Sequence, residues 1–267
     1  MRELIIRGLS GLLYVTLIVA SAYISDLALV IILFVFSGLA LFEFQRLLQY
    51  KSPIPFLLFG LLVYQLYIKE PSANMLYSFL ALSILANLIL AYLLFLNKPF
   101  PSAPYQKSSL SFFYLVGSAY FIVATTNFET TINNSITLIM YLLIWVNNSF
   151  AYLSGKKWGI KPLFPSISPK KTWEGLWGGA IACIITSLVI SFFDDSLPVW
   201  SFPVLALIII LTATIGDLIQ SKFKRQAKVK DSGSLIPGHG GFYDRMDSVL
   251  FTAPFIYLFI IITNYVS

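Results

Sequence analysis

"VWSFPVLALIIILTATIGDLIQ", residues 199–220, carries one charged side chain, Asp217. A helix crosses a bilayer in about 20 mostly apolar residues, so this stretch reads as a membrane span. A carboxylate within a span costs about 2.5–3.5 kcal/mol at the bilayer centre and less toward the interface. Asp217 lies near one end of its span, just ahead of the basic "SKFKR" at 221–225. A group so costly in such a place calls for a function.

The rest of the chain repeats the pattern. Apolar runs recur at 5–24, 27–45, 54–68, 75–96, 109–126, 134–153, 176–193 and 247–266, the third being short and interrupted by Gly60. The strand alternation of an outer-membrane barrel is absent. The expected fold is all-α, a polytopic transmembrane bundle of about nine spans. Composition agrees: 58% of the 267 residues are hydrophobic and 11% charged, where a soluble domain has about 45–50% and about 25%. One cysteine, Cys183, excludes a disulfide framework and reads as a packing residue. No internal repeat or soluble domain interrupts the spans. We divide the chain into N-terminal spans, 1–130, and a catalytic region, 131–267, with polar loops at 154–175 and 221–246.

Lys and Arg favour cytoplasmic loops. With a cytoplasmic N-terminus, alternation puts 17 of the 18 basic residues inside and only Lys69 outside. The outside loops then hold Asp26, Glu70, Glu129, Asp194 and Asp195. The C-terminus is therefore expected outside and both polar loops in the cytoplasm. Arg2 and Arg7 before an apolar run ending in "ASA" (20–22) also have the form of a cleavable signal peptide. The run is long enough to span, and its removal would leave every later segment with the same orientation.

The polar chemistry follows residue 147. Asp244 and Asp247 stand three apart, which puts both on one helix face. Such a pair is relieved by a cation, and oxygen ligands of this kind suit Mg²⁺, which also takes substrate phosphates. The alternative is favourable acidic residues in a first helical turn. Asp217 is read either as a further ligand or as neutralised by Lys224 or Arg225. In "GHGG" (238–241), Gly238, Gly240 and Gly241 allow close backbone approach, and successive N–H groups there form an anion-binding concavity. Lys222, Lys224, Arg225, Lys228 and Lys230 lie upstream, suited to polyphosphate or to anionic headgroups. His239, the one histidine, is open between ligand, phosphate donor and structural roles. In "SISPKKTWEG" (166–175), Pro169 discourages helix at Ser168. Thr172, Glu174 and Gly175 suit a turn into a helix, and Lys170 and Lys171 suit phosphate.

"SKFKRQAKVKDSGSLIPGHGGFYDRMD" (221–247) resembles the signature of the phosphatidate cytidylyltransferase (CDP-diacylglycerol synthase) family at every fixed position. "SPKKTWEG" (168–175) and "NNSFAYLSG" (147–155) resemble two further family stretches; the last is usually written D-x-x-A-Y-x-x-G, with Asn148 here in place of the aspartate. The resemblance implies that CTP and phosphatidic acid give CDP-diacylglycerol and pyrophosphate, with Mg²⁺ as cofactor and a second metal left open. It implies catalytic roles for Asp217, Asp244, Asp247, Lys230 and Arg245. Substrate contacts would come from Lys170, Lys171, Thr172, Ser221, Lys224, Arg225, Asp231, His239, Gly240 and Gly241. The metal would fall to Asp217, Asp244 and Asp247, with Asn148 as a further candidate. The implied partners are the two substrates and the bilayer, not nucleic acid, with a homodimer left open. The implied location is a bacterial inner membrane with the site facing the cytoplasm. A CTP-dependent lipid kinase or another lipid-phosphate cytidylyltransferase is the runner-up. An ion or proton transporter would also use Asp217, but the charges cluster at one end and none crosses the bilayer. The D-G-x2-A-R motif of CDP-alcohol phosphotransferases is absent.

Overall fold

The computed structural model describes residues 2–68, 71–127, 135–238 and 240–266. Lys69, Glu70, Glu129 and His239 lie outside them. The helices are α1 (Arg2–Ile24), α2 (Asp26–Leu47), α3 (Ile54–Ile68), α4 (Ala73–Phe95), α5 (Pro104–Ser109) and α6 (Gly117–Ala124). They continue with α7 (Ser135–Trp158), α8 (Trp173–Ile190), α9 (Ser201–Gln226) and α10 (Tyr243–Val266). A π-helical stretch, Leu110–Val116, joins α5 to α6, so Pro104–Ala124 acts as one span. Seven segments among the described residues are long and apolar enough to cross a membrane; Gly8–Ile24 and Ile54–Ile68 are shorter apolar helices. Each sits where an apolar run was expected. The chain is a polytopic helical membrane protein. In hydrocarbon a backbone must satisfy its own polar groups, which a helix does within one segment.

Long-range hydrogen bonds sort the helix ends. Ser10 Oγ of α1 donates to Pro237 O at 3.0 Å, and Lys222 Nζ of α9 donates to Leu93 O of α4 at 2.8 Å. Gln226 and Phe100 exchange two bonds of 3.0 Å, and Tyr243 N of α10 donates to Glu43 of α2 at 2.9 Å. The start of α1, the ends of α2, α4 and α9, and the start of α10 therefore share one end of the bundle. At the other end, Thr125 and Thr137 bond at 2.9 Å where α6 gives way to α7. The basic segments share the first end.

The structure departs from the sequence reading at the polar loops. α7 runs on to Trp158 and α9 to Gln226, so Lys156, Lys157, Lys224 and Arg225 occupy last helical turns, where cations meet the helix dipole favourably. Between α7 and α8 a small antiparallel hairpin forms from β1 (Pro162–Phe164) and β2 (Ser168–Thr172). Its Pro169 sits in extended backbone, as the pre-proline constraint at Ser168 requires. Thr172 then caps α8, its hydroxyl accepting from Gly175 N at 3.1 Å.

α7 and α8 approach closely because the contact is built of small residues. A Cβ added at Gly179 would stand 2.6 Å from Asn147 O. Cys183 is fully buried there, its Sγ 3.7 Å from Leu143 O, which fits a packing role. Phe44 of α2 stacks edge-on against Phe223 of α9 and Tyr243 of α10, with ring centroids 5.1 and 5.3 Å apart. These rings tie the N-terminal spans to the two helices that carry the carboxylates.

Candidate active site

A cavity of about 890 Å³ opens at the end of the bundle where the basic segments gather. Its lining comes from the last turns of α7, the β1–β2 hairpin, the first turn of α8, the C-terminal half of α9 and the start of α10. Every lining residue falls between Asn147 and Asp247. Five cations face it, Lys156, Lys170, Lys171, Lys224 and Arg245, together with four carboxylates, Asp217, Asp231, Asp244 and Asp247.

The carboxylates differ in their partners. Asp217, on α9, forms an ion pair with Lys171 of the hairpin and accepts from Ser221 Oγ at 3.3 Å. The cation beside it is thus Lys171, brought in from the other loop, and not Lys224 or Arg225. Lys224 instead pairs with Asp244 at 2.8 Å. Asp244 Oδ1 also receives Gln220 Nε2 at 2.6 Å, while its Oδ2 receives Ser232 N at 2.7 Å, Ser232 Oγ at 2.8 Å and Gly241 N at 3.0 Å. A carboxylate has about four lone-pair sites, so Asp244 is saturated by protein donors. Asp247 is 8% exposed, and its Oδ1 accepts from the adjacent Ser248 N at 2.6 Å.

Of the other expected residues, Lys170, Lys171, Thr172, Lys224, Asp231, Arg245 and Asn148 line the cavity. Asn148 donates through Nδ2 to Ser248 Oγ at 3.2 Å, and its Oδ1 accepts from Asn147 Nδ2 at 3.4 Å. Gly240 has φ +83°, and a Cβ there would stand 2.6 Å from Asp244 Oδ2. Gly240 and Gly241 thus shape the bed of Asp244 rather than the cavity wall. Ser221 reaches the site through Asp217 alone. Arg225 donates to Ile167 O and Val229 O, both at 3.4 Å, so it braces the hairpin against the end of α9. Lys230 is exposed and outside the lining.

Four residues that matter here were missed in the sequence. Lys156 was counted only as a loop charge. Gln220 and Ser232 serve Asp244, and neither polar side chain carries a signal of its own. Glu43 is the exception, a carboxylate inside an apolar run, and the cost that flagged Asp217 applied to it equally.

Among the described residues, no three His, Cys, Asp or Glu side chains converge into a complete metal cage. The donors present are hard oxygens: the Asp217 and Asp247 carboxylates and the Asn148 amide oxygen. That set fits Mg²⁺, which keeps waters and takes phosphate oxygens for the remainder of its shell. The arrangement as a whole can grip a polyphosphate from several sides and hold a cation among carboxylates.

A family model described as the cytidylyltransferase family matches residues 5–263. A phosphatidate cytidylyltransferase of Staphylococcus haemolyticus (strain JCSC1435) is 38% identical over 152 residues, which is 56% of this chain and 58% of the relative. Its counterpart in Staphylococcus aureus (strain COL) is 40% identical over 152 residues, with the same two shares. One from Staphylococcus epidermidis (strain ATCC 12228 / FDA PCI 1200) is 36% identical over 154 residues, 57% of this chain and 59% of the relative. The matched stretch thus covers less than two thirds of each relative's length.

Proposed function

The chain belongs to the cytidylyltransferase family, and on that premise we propose that it transfers CMP from CTP to phosphatidic acid, giving CDP-diacylglycerol and pyrophosphate. The observation that carries this reading is the single cavity wall on which five cations and four carboxylates meet at the end of a membrane bundle. A lipid phosphate and a soluble triphosphate can meet there, and the similarity to phosphatidate cytidylyltransferases supports that substrate pair.

In this reading an oxygen of the phosphatidate phosphate forms a bond to the α-phosphorus of CTP. The bond from that phosphorus to the β-bridging oxygen breaks, and pyrophosphate leaves with its electron pair. The nucleophile is already ionised, so no strong general base is required. The protein's task is alignment and charge neutralisation, as in phosphoryl transfer generally. Lys170, Lys171, Lys156 and Arg245 bind and orient the triphosphate. Lys171 exchanges its Asp217 partner for a phosphate oxygen as the substrate enters. Thr172 holds the first turn of α8 toward the same space. Asp217 and Asp247, with Asn148, would hold Mg²⁺, which would supply charge neutralisation for the reacting phosphates. Asp244, already saturated, fixes Gln220, Lys224 and the backbone at Ser232 and Gly241 around it. Residues 131–267 are the catalytic region on this account and residues 1–130 its support. The bias of Lys and Arg toward one side supports a cytoplasmic cavity, with the N-terminus inside and the C-terminus outside.

Detergent-purified protein should release pyrophosphate from CTP only when phosphatidic acid and Mg²⁺ are both present. Formation of CDP with diacylglycerol in place of phosphatidic acid, with no pyrophosphate released, would point to a CTP-dependent kinase and overturn the reading. Cysteines placed singly at Lys157 and Lys228 in a Cys183→Ser background should resist an impermeant thiol reagent outside intact cells. Ready labelling of either would reverse the orientation.

A further inference from the structure

We propose that Glu43, far from the cavity wall in sequence and supplied by the N-terminal spans, is a positioning residue for the catalytic end. It acts through Ser232 on the loop that holds Asp244. The inference rests on the cytidylyl-transfer reading for its kinetic consequence and on geometry alone for its structural one.

Glu43 lies in α2, in a span rich in Leu and Phe, and is 0% exposed. A carboxylate taken so far from water is costly unless it is hydrogen-bonded, and its bonds all reach one place. Its Oε2 accepts Tyr243 N at 2.9 Å and Ser232 Oγ at 2.8 Å. Tyr243 N is one of the first N–H groups of α10, which have no partner within their own helix. The negative charge also suits that helix start. Ser232 Oγ stands equally 2.8 Å from Asp244 Oδ2, and Ser232 N donates to that same oxygen at 2.7 Å. One serine therefore bridges the Glu43 and Asp244 carboxylates. Its single hydroxyl hydrogen serves both acceptors, so the two carboxylates are set in relation to each other.

Two glycines complete the seat. A Cβ at Gly241 would run into Glu43 Oε2, and a Cβ at Gly233 would run into Oε1. Both ends of the 233–241 segment are thus folded directly onto this carboxylate. Phe44, the next residue, packs on Tyr243, fixing α2 against the start of α10 at the same level. Among the described residues Glu43 Oε1 accepts no hydrogen bond, so the anchorage is carried by Oε2. Loss of charge at Glu43 loosens Ser232 and Tyr243 together. Asp244 then loses two of its five donors in register, while the cavity's phosphate-binding cations remain untouched. A positioning fault of this kind lowers kcat and leaves substrate affinity nearly intact.

The test uses full-length protein in detergent and two readouts. Hydrogen exchange, which needs no substrate, should show faster exchange across residues 231–244 in Glu43→Gln, with α7 and α8 exchanging as in the unaltered protein. In the CTP and phosphatidic acid assay, Glu43→Gln should lower kcat by about 10²-fold, the cost of a misplacement of about 1 Å, with KM for CTP nearly unchanged. Ser232→Ala should lower kcat similarly, and the double variant should be no worse than either single one. Unchanged exchange at 231–244, an unchanged kcat, or losses that multiply in the double variant would each overturn the proposal. Where Glu43→Gln fails to assemble, Ser232→Ala alone decides by the same two readouts. If the unaltered protein does not turn over CTP, the transfer reading fails and the exchange result still decides the role of Glu43.

Discussion

The N-terminal and the C-terminal regions both supply helices apolar enough to cross a membrane, yet they contribute unequally to the cavity. None of the cavity lining comes from residues 2–127, and all of it comes from Asn147 to Asp247. The N-terminal spans do supply a fully buried carboxylate, Glu43, and through it the seat of the loop that bounds the cavity. The lesson is that burial and exposure divide the labour. On the cavity wall Asp217 and Asp244 pair with lysines, whereas Glu43 is fully buried and, among the described residues, is bonded by a backbone N–H and a serine hydroxyl.

The largest effect should follow the loss of Asp244. Asp244→Asn removes the partner of Lys224 and offers an amide where five donors converge. Breaking a buried pair on one side costs about 3–5 kcal/mol, so both turnover and melting temperature should fall. A variant that loses turnover but melts normally would mean Asp244 serves substrate or metal and not the scaffold. Next comes a contrast between lysines. Lys171→Ala should cost more than about tenfold in kcat/KM, since a hydrogen bond to a charged group is worth about 1.5–3 kcal/mol. Lys230→Ala, exposed and outside the cavity, should leave kcat/KM close to that of the unaltered protein. Equal losses at the two positions would remove the distinction between cavity and loop charges.

Glycines compare the two regions by packing alone. A Cβ at Gly179 meets Asn147 O at 2.6 Å and Ala151 Cβ at 3.0 Å, whereas nothing lies within 4 Å of one at Gly60. Gly179→Ala should destabilise the detergent-solubilised protein by about 1–3 kcal/mol. Gly60→Ala should stabilise it by about 0.5–1 kcal/mol through helix propensity. Thermal unfolding of the two variants decides, and a shift of the same sign in both would contradict the packing account. The smallest effect concerns Asn148. An added carboxylate at that position gains about 1 kcal/mol from a cation at solvent-like screening, so Asn148→Asp should reach half-maximal rate at about fivefold lower Mg²⁺. Superimposable Mg²⁺ titrations would place position 148 outside the metal site.

Much of this was legible in the sequence because bilayer physics is local. Apolar runs such as 199–220 and 247–266 need no tertiary partner to be read as spans, and α9 and α10 follow them. Pro169 and Thr172 announced the break and the helix start, and Thr172 caps α8 as expected. Less legible were features decided by contacts across the chain. Whether Asp217 would meet Lys224 on its own helix or Lys171 on another segment depended on how the hairpin folds over α9. The hairpin strands are too short to show a period. The extension of α9 through Gln226 was obscured by its charges, which read as loop. Glu43 and Ser232 are 189 residues apart, and no spacing rule connects them.

The central claim is that cytidylyl transfer takes place in this cavity, with Asp247 among the groups that hold the cation. Asp247→Asn tests it most directly. The expected result is a fall of roughly 10²-fold or more in pyrophosphate release from CTP and phosphatidic acid, as for loss of a metal ligand, with an unchanged melting temperature and unchanged exchange at 231–244. Turnover near that of the unaltered protein at saturating Mg²⁺ would contradict the account.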